Sequence, residues 1–151
     1  MLRSLDSTRL IDSTSGWFDK KAGDFDSHHV YFHKPRLHND GKRILSLSEF
    51  GGFSWPIEGH KTSPKNFGYA IYHNQESLEK AFKKCFTKHI LPLVQRQGLS
   101  VIVLTQWSDV EAETNGLVTY DREIIKIDPS VFAELNQMLY SAFEEQFSRK
   151  E

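Results

Sequence analysis

The 151-residue sequence contains a single cysteine, Cys85, so no disulfide can form within the chain. This scarcity is typical of proteins in a reducing compartment and favours the cytoplasm. No apolar run approaches the roughly 20 residues that a membrane-spanning helix needs. The first residues, MLRSLDSTRLIDS, contain no hydrophobic signal region. The sequence therefore predicts a soluble, cytoplasmic protein.

The sequence also lacks an excess of charge of either sign. Its 19 Lys and Arg residues nearly balance 20 Asp and Glu residues, and the net charge is -1. A basic stripe would indicate nucleic acid, and a block of like charges would indicate a disordered tail. Neither is present, so nucleic acid is not an expected partner. The length fits one domain, and no repeat, low-complexity tract or linker divides it.

Aromatic residues, in contrast, are abundant and make up 13% of the chain. Most of them precede the first long helical pattern and lie among Gly, Asp, Asn and His residues. Aromatic rings in such surroundings suit a hydrophobic core, and they equally suit a site for a flat, partly apolar ligand such as a sugar. Composition leaves both interpretations open.

Four short segments are typical of β-strands: residues 8–12, 29–33, 43–48 and 99–107. The last segment, LSVIVLTQW, is continuously apolar, which indicates a strand buried on both faces of a parallel sheet. Two helices follow the third and fourth strands. These alternating strands and helices predict right-handed βαβ units, and therefore an α/β fold with a parallel sheet.

The first helix has Asn74 as a suitable N-cap and should end at Gly98, with Pro92 kinking or shortening its last turns. Its predicted buried face consists of Leu78, Phe82, Phe86, Ile90 and either Leu93 or Val94. The second helix has Asp128 as its cap and Pro129 in its first turn. Its predicted inward face consists of Val131, Phe132, Leu135, Met138, Leu139, Ala142, Phe143 and Phe147.

The segments that follow the predicted strands are long and rich in Gly, Trp, His and acidic residues, whereas the helix-to-strand connection RQG is short. In a (β/α) barrel the active site is built from the loops at the carboxyl ends of the strands. The unequal loop lengths are therefore what such a site would produce.

Four separated segments are recognisable together: DSTRLIDSTSGW, GDFDSHHVYFH, LSLSEFGG and TQWSDVEAETNGLVTYDR. In this order and spacing they resemble the second half of the catalytic barrel of the family 2 glycoside hydrolases, the β-galactosidase and β-glucuronidase group. The resemblance covers nearly the whole chain as one domain, residues 1–151. It implies a (βα)4 unit, strands five to eight of a (β/α)8 TIM barrel, and retaining hydrolysis of β-linked sugars without an organic cofactor.

The resemblance assigns roles to individual residues. Glu49 in SEFGG, at the end of the seventh strand, matches the position of the catalytic nucleophile. His28 and His29 belong to the sixth strand, whose end lines the sugar site, and we favour His29 as the donor to a sugar hydroxyl. The other predicted substrate-binding residues are Gln106, Trp107 and Trp55. Trp107 would form an aromatic floor under the sugar, or instead cap the barrel as a core residue.

No metal site is predicted. His28, His29 and His33 lie in a strand-like segment, whereas a four-residue spacing aligns ligands on a helix, and no further Cys or paired His completes a zinc set. The acids of SDVEAETNG lack the calcium-loop pattern, and Asp109 is interpreted as a possible helix cap. Asp121 and Arg122 are expected to form an ion pair that pins a loop.

The general acid/base of the family is a Glu that follows an Asn, and no Asn-Glu pair occurs in this sequence. We therefore expect a C-terminal fragment of a longer or split enzyme that is inactive alone. Four parallel strands would leave open sheet edges, so the expected partners are the missing half of the barrel or a second copy, besides a carbohydrate substrate. The alternatives are a non-catalytic carbohydrate-binding or assembly fragment, and a metal-dependent enzyme built on the histidines.

Overall fold

A computed structural model gives the fold and describes residues 1–13, 16–31 and 34–148, apart from the side chain of Phe147. These residues form a mixed α/β structure with a small parallel sheet and helices. The elements are α1 (Leu2–Leu5), β1 (Phe25–Val30), β2 (Ile44–Gly51), β3 (Phe53–Ser54), β4 (Ala70–Ile71), α2 (Gln75–Cys85), a π-helical turn (Phe86–Ile90), α3 (Leu91–Gln97), β5 (Val101–Thr105) and α4 (Pro129–Ser148).

The main sheet contains β1, β2 and β5, all parallel, with β2 in the centre. Helices α2 and α3 connect β2 to β5, and α4 follows β5, so this part of the chain has the predicted alternation of strands and helices. β3 and β4 form a separate two-stranded parallel pair. The prediction of an α/β fold with a parallel sheet is confirmed at this level.

The hydrophobic core lies between the main sheet and the helices. Phe86 is central, because its ring lies 5.9 Å from that of Phe50 on β2 and 5.8 Å from that of Phe132 on α4. The predicted helix faces are confirmed as buried at Leu78, Phe82, Phe86, Ile90, Leu93, Val94, Val131, Leu135, Leu139 and Ala142, and as partly buried at Phe132, Met138 and Phe143. The predicted inward position of Phe147 lies outside the described side chains.

The predicted helix ends are also present. The Asn74 side chain accepts a hydrogen bond from the Ser77 N–H at 2.8 Å, and the Asp128 carboxylate accepts one from the Ser130 N–H at the same distance. Gly98 ends α3 with a φ of +69°, a conformation that glycine adopts without steric cost. Cap residues thus set the bounds of the helical segments, as the sequence predicts.

Pro92 acts on the helix differently from a simple kink. The turn before it is π-helical, and the Leu91 N–H donates to the Phe86 carbonyl, five residues back. Proline has no N–H, and in a regular helix its ring would collide with the Lys88 carbonyl four residues earlier. Widening the preceding turn relieves this collision and keeps Phe86 and Ile90 in the core.

One strand prediction is wrong, and another differs in its bounds. Residues 8–12 form no strand; instead the Ile11 carbonyl accepts a 2.8 Å hydrogen bond from Asp24, whose carboxylate accepts the Ile11 N–H at 2.7 Å. The polar residues of this segment are satisfied locally, because Asp6 accepts hydrogen bonds from both the N–H and the hydroxyl of Thr8. The strand predicted at 29–33 begins at Phe25, and residues 32 and 33 lie outside the described part.

β5 is also not buried on both faces. It pairs with β2 alone among the described strands, and the Val103 side chain is 49% exposed in the middle of it. A continuously apolar strand indicates burial, but it does not show what covers each face. Across the described residues, none of the helices has the combination of length and hydropathy required to cross a bilayer.

Candidate active site

Glu49 lies near the carboxyl end of the central strand, where an extra residue interrupts the pairing. His28 pairs with Leu47 and the next residue, His29, pairs with Glu49, so Ser48 is unpaired as a β-bulge. Regular alternation would place Glu49 on the same face as Leu47, which is fully buried against the helices. The bulge places it on the opposite, open face instead, where its side chain is 43% exposed.

A tyrosine holds the Glu49 carboxylate. The Tyr31 hydroxyl donates to Glu49 Oε2 at 2.6 Å, and its oxygen lies 2.8 Å from Thr105 Oγ1 at the end of β5. A phenol has one proton, so the Thr105 hydroxyl is the donor of the second hydrogen bond. Burial raises the pKa of Tyr31 above its ordinary value, and the hydrogen bond to Glu49 acts in the same direction. Tyr31 is therefore a neutral donor at physiological pH.

His29 approaches the same carboxylate oxygen. Its Nδ1 lies 3.4 Å from Glu49 Oε2, its side chain is 9% exposed, and within the described residues Nδ1 has no hydrogen-bond partner. Gly16 makes this position possible: its carbonyl accepts the His29 N–H at 3.1 Å, and a Cβ there would lie 2.1 Å from the imidazole ring. The Trp17 ring meets the imidazole edge-on at 5.7 Å.

Aromatic rings continue on the other side of the carboxylate. Tyr69 stacks on Tyr31 with ring centres 4.2 Å apart and planes 15° apart, and Phe67 meets Tyr69 edge-on at 5.4 Å. Gly52 permits the stack, because it has a φ of +65° and a Cβ would lie 2.2 Å from the Tyr69 ring. The acid thus has rings on two sides, which we name together the aromatic row: Trp17 with His29 on one side, and Tyr31 with Tyr69 and Phe67 on the other.

Gln106 and Trp107 directly follow β5. The Gln106 amide nitrogen donates to Asn115 Oδ1 at 2.7 Å and to Glu113 Oε2 at 3.2 Å, so its donor group is engaged by the following loop. The Trp107 side chain is 72% exposed. Trp107 is therefore outside the core of this chain, and its indole is accessible to a ligand.

The other predicted site residues are not brought to Glu49. The pairing of His28 with Leu47 puts it on the helix-facing side of the sheet, where its Nε2 lies 3.2 Å from Asp26 Oδ1. The Trp55 side chain packs against the core, and the backbone N–H of Trp55 donates to the Thr114 carbonyl at 3.0 Å. The structure thus brings together Glu49 and His29, and gives Trp55 a packing role.

A buried ion pair fixes the loop that presents Trp107. Lys126 Nζ donates to both oxygens of Asp109 at 2.7 Å and to the Thr114 carbonyl at 3.0 Å. The Gly116 N–H donates to the same carboxylate at 2.8 Å. Asp109 is therefore not a helix cap but the centre of a buried polar network that stabilises the loop between β5 and α4.

Sequence reasoning missed Tyr31 and Thr105. Tyr31 was detectable, because it lies two residues after His29 and strand alternation puts both side chains on one face. Thr105 had no signal, since its contact with Tyr31 spans 74 residues of sequence.

Comparison of the sequence with protein-family models and with curated proteins gives no match.

Proposed function

We propose that this chain is the C-terminal half, (βα)4, of a TIM-barrel glycoside hydrolase that cleaves β-linked sugars with retention, β-galactosides first among them. Glu49 is the nucleophile in this proposal. The supporting observation is the position of its carboxylate, which is at the carboxyl end of the central parallel strand, on the open face, partly exposed and hydrogen-bonded to Tyr31. Barrel active sites form at that end of the strands.

The contacts suit a nucleophilic carboxylate. Tyr31 fixes Oε2, so Oε1 is the atom that attacks the anomeric carbon, and the glycosidic C–O bond breaks as the new bond forms. The leaving oxygen takes the electron pair and a proton from a second carboxylic acid, which in retaining enzymes lies about 5 to 5.5 Å from the nucleophile. The His29 imidazole lies beside the same carboxylate, and in this proposal it is the donor to a sugar hydroxyl next to the reacting carbon.

The second carboxylic acid belongs, in this proposal, to the other half of the barrel. No Asn-Glu pair is present in the 151 residues. Among the described strands, β1 and β5 each pair on one side only, so both edges of the main sheet are open to another strand. A complementary half, or less specifically a second copy of this chain, would cover these edges and the exposed Val103 face.

A non-catalytic carbohydrate-binding or assembly fragment is the second candidate. The exposed indoles of Trp17 and Trp107 favour it, because aromatic faces stack on sugar rings without any chemistry. Both candidates predict sugar binding at the aromatic row. They differ in whether Glu49 forms a covalent bond to the sugar.

The test uses 2,4-dinitrophenyl 2-deoxy-2-fluoro-β-galactoside with the full chain and mass spectrometry of the product. Dinitrophenolate leaves without being protonated, so the missing acid is not required for the first step, and the fluorine slows breakdown of the covalent adduct. We expect one fluorogalactosyl group on Glu49 and none on a Glu49→Gln variant. Glu58→Gln, a change at an exposed acid, is the matched control and should be labelled normally.

Three outcomes decide the proposal. An adduct on Glu49 supports the nucleophile, and the corresponding glucuronide and mannoside reagents then rank the sugars. Saturable binding of sugar without an adduct favours the carbohydrate-binding fragment. Neither binding nor an adduct, with all three reagents and at high reagent concentration, overturns both.

A further inference from the structure

A second group of ligand-bearing side chains shares no residue with the Glu49 site. His60 follows β3, whereas Asp121 and Glu123 lie between β5 and α4. His60 Nδ1 lies 2.8 Å from Asp121 Oδ2 and 3.9 Å from Glu123 Oε2. The three ligand atoms all lie within 4.8 Å of one another. The fold thus joins one imidazole and two carboxylates from two separate loops.

We propose that His60, Asp121 and Glu123 form a binding site for a divalent transition-metal ion, with Zn²⁺ as the representative ion. One imidazole nitrogen with two carboxylate oxygens is a ligand set that Zn²⁺ accepts, whereas Mg²⁺ and Ca²⁺ prefer oxygen ligands alone. At Zn–ligand distances of about 2.1 Å, tetrahedral ligand atoms lie about 3.4 Å apart. The observed 2.8 and 3.9 Å bracket this value.

The charges around these side chains favour a cation. The neighbouring Lys61 pairs with Glu58 at 2.7 Å, and the Arg122 guanidinium donates to the Tyr120 carbonyl at 3.2 Å, so the expected ion pair between Asp121 and Arg122 is wrong. In the part of the chain that the structure describes, no Lys or Arg side chain forms an ion pair with either carboxylate, and the imidazole is their shared basic neighbour. Two negative charges therefore face one ionisable ring, and a divalent ion would neutralise the excess.

Two hydrogen bonds to one carboxylate oxygen fix the orientation of the Asp121 side chain. The Thr119 hydroxyl donates to Asp121 Oδ1 at 2.6 Å and the Glu123 N–H donates to the same oxygen at 3.1 Å. Oδ2 is hydrogen-bonded to His60 Nδ1 at 2.8 Å, and a metal ion would replace this hydrogen bond. Groups that orient a metal ligand in this way contribute to metal affinity. A bound ion would link the loop after β3 to the loop after β5.

The test is calorimetric titration of the full chain with Zn²⁺, with Co²⁺ absorption as a report of nitrogen and oxygen coordination. We expect one ion per chain. Asp121→Asn or His60→Ala should weaken binding more than about 10-fold. Thr119→Val, which removes the hydroxyl that donates to Asp121 and also accepts the Ile124 N–H, should weaken it about 10-fold. Glu58→Gln, in the same loop as His60 but outside the ligand set, should bind as the unaltered chain does.

Glu123→Gln keeps the test decisive if another variant misfolds, because Glu123 is 71% exposed. Circular dichroism confirms that each variant is folded. Two results would overturn the proposal: no saturable binding of Zn²⁺ to the unaltered chain, or a Zn²⁺ affinity in the folded Glu123→Gln and Asp121→Asn variants equal to that of the unaltered chain. Either result would mean that these residues form only an ion pair. Sugar chemistry at Glu49 plays no part in this measurement.

Discussion

Replacing Lys126 with Met should greatly destabilise the chain, although it barely changes the volume of the side chain. Lys126 is fully buried and Asp109 is 4% exposed. Met retains the apolar stem but removes the charge and the donors to Asp109 and Thr114, which leaves the Gly116 N–H as the remaining recorded donor to the carboxylate. Removing one partner of a buried ion pair costs about 3 to 5 kcal/mol. The total stability of a domain is only about 5 to 15 kcal/mol.

The assay is urea unfolding followed by circular dichroism, with Lys61→Met as the matched control. Lys61 is also 2.7 Å from its carboxylate partner, but that partner, Glu58, is 84% exposed. An ion pair with so exposed a partner contributes only about 0 to 1 kcal/mol and weakens further in high salt. The free energy lost in Lys126→Met should be several times larger and nearly independent of salt.

A double variant separates the charge from the hydrogen bonds. Asn at position 109 can still accept the Gly116 N–H but leaves no buried charge, so Asp109→Asn with Lys126→Met should be more stable than Lys126→Met alone. A loss in Lys126→Met comparable to that of Lys61→Met would refute the importance of the pair. Additive losses in the double variant would refute the explanation by an uncompensated buried charge.

The remaining predictions concern a glycine and a carboxylate. Gly52→Ala should lower the free energy of unfolding in urea more than Gly41→Ala does, and it should weaken the near-ultraviolet dichroism of the stacked tyrosines. Both glycines have positive φ, but a Cβ at position 52 would collide with Tyr69, whereas a Cβ at position 41 would meet nothing within 4 Å. Equal losses of free energy in the two variants would contradict this. Arg43 donates to Asp19 and holds its pKa at about 2, below 3.8. The interaction with Arg43 therefore stabilises the fold above pH 3.8, and this stabilisation is lost as the pH falls towards about 2 and Asp19 becomes protonated. The difference in unfolding free energy between the unaltered chain and Arg43→Met should shrink over that range. A constant difference would argue against it.

The helices could be predicted from the sequence because each buried position depends on local spacing. Leu78, Phe82, Phe86 and Ile90 recur every four residues, and cap residues mark the ends of both helical segments. Even the irregular turn before Pro92 has a local cause. Such features require no knowledge of what packs against the helix.

The site depends on pairing between strands that are distant in sequence, and this limited its prediction. Glu49 and His29 could be named as site residues, but their shared face results from a bulge that no residue type at position 48 indicates. The exposure of Val103 follows from β5 being at the edge of the sheet, which the apolar run does not reveal. The contact of Thr105 with Tyr31 likewise requires the strand order.

The unpaired serine in β2 has a consequence for genetic change. Loss of the single codon for Ser48 would remove the bulge and make Glu49 the direct neighbour of Leu47, so regular alternation would keep the acid on the open face, opposite Leu47. When related genes are aligned, a gap at this position is therefore compatible with the same orientation of the carboxylate, whereas replacement of the acid removes the carboxylate.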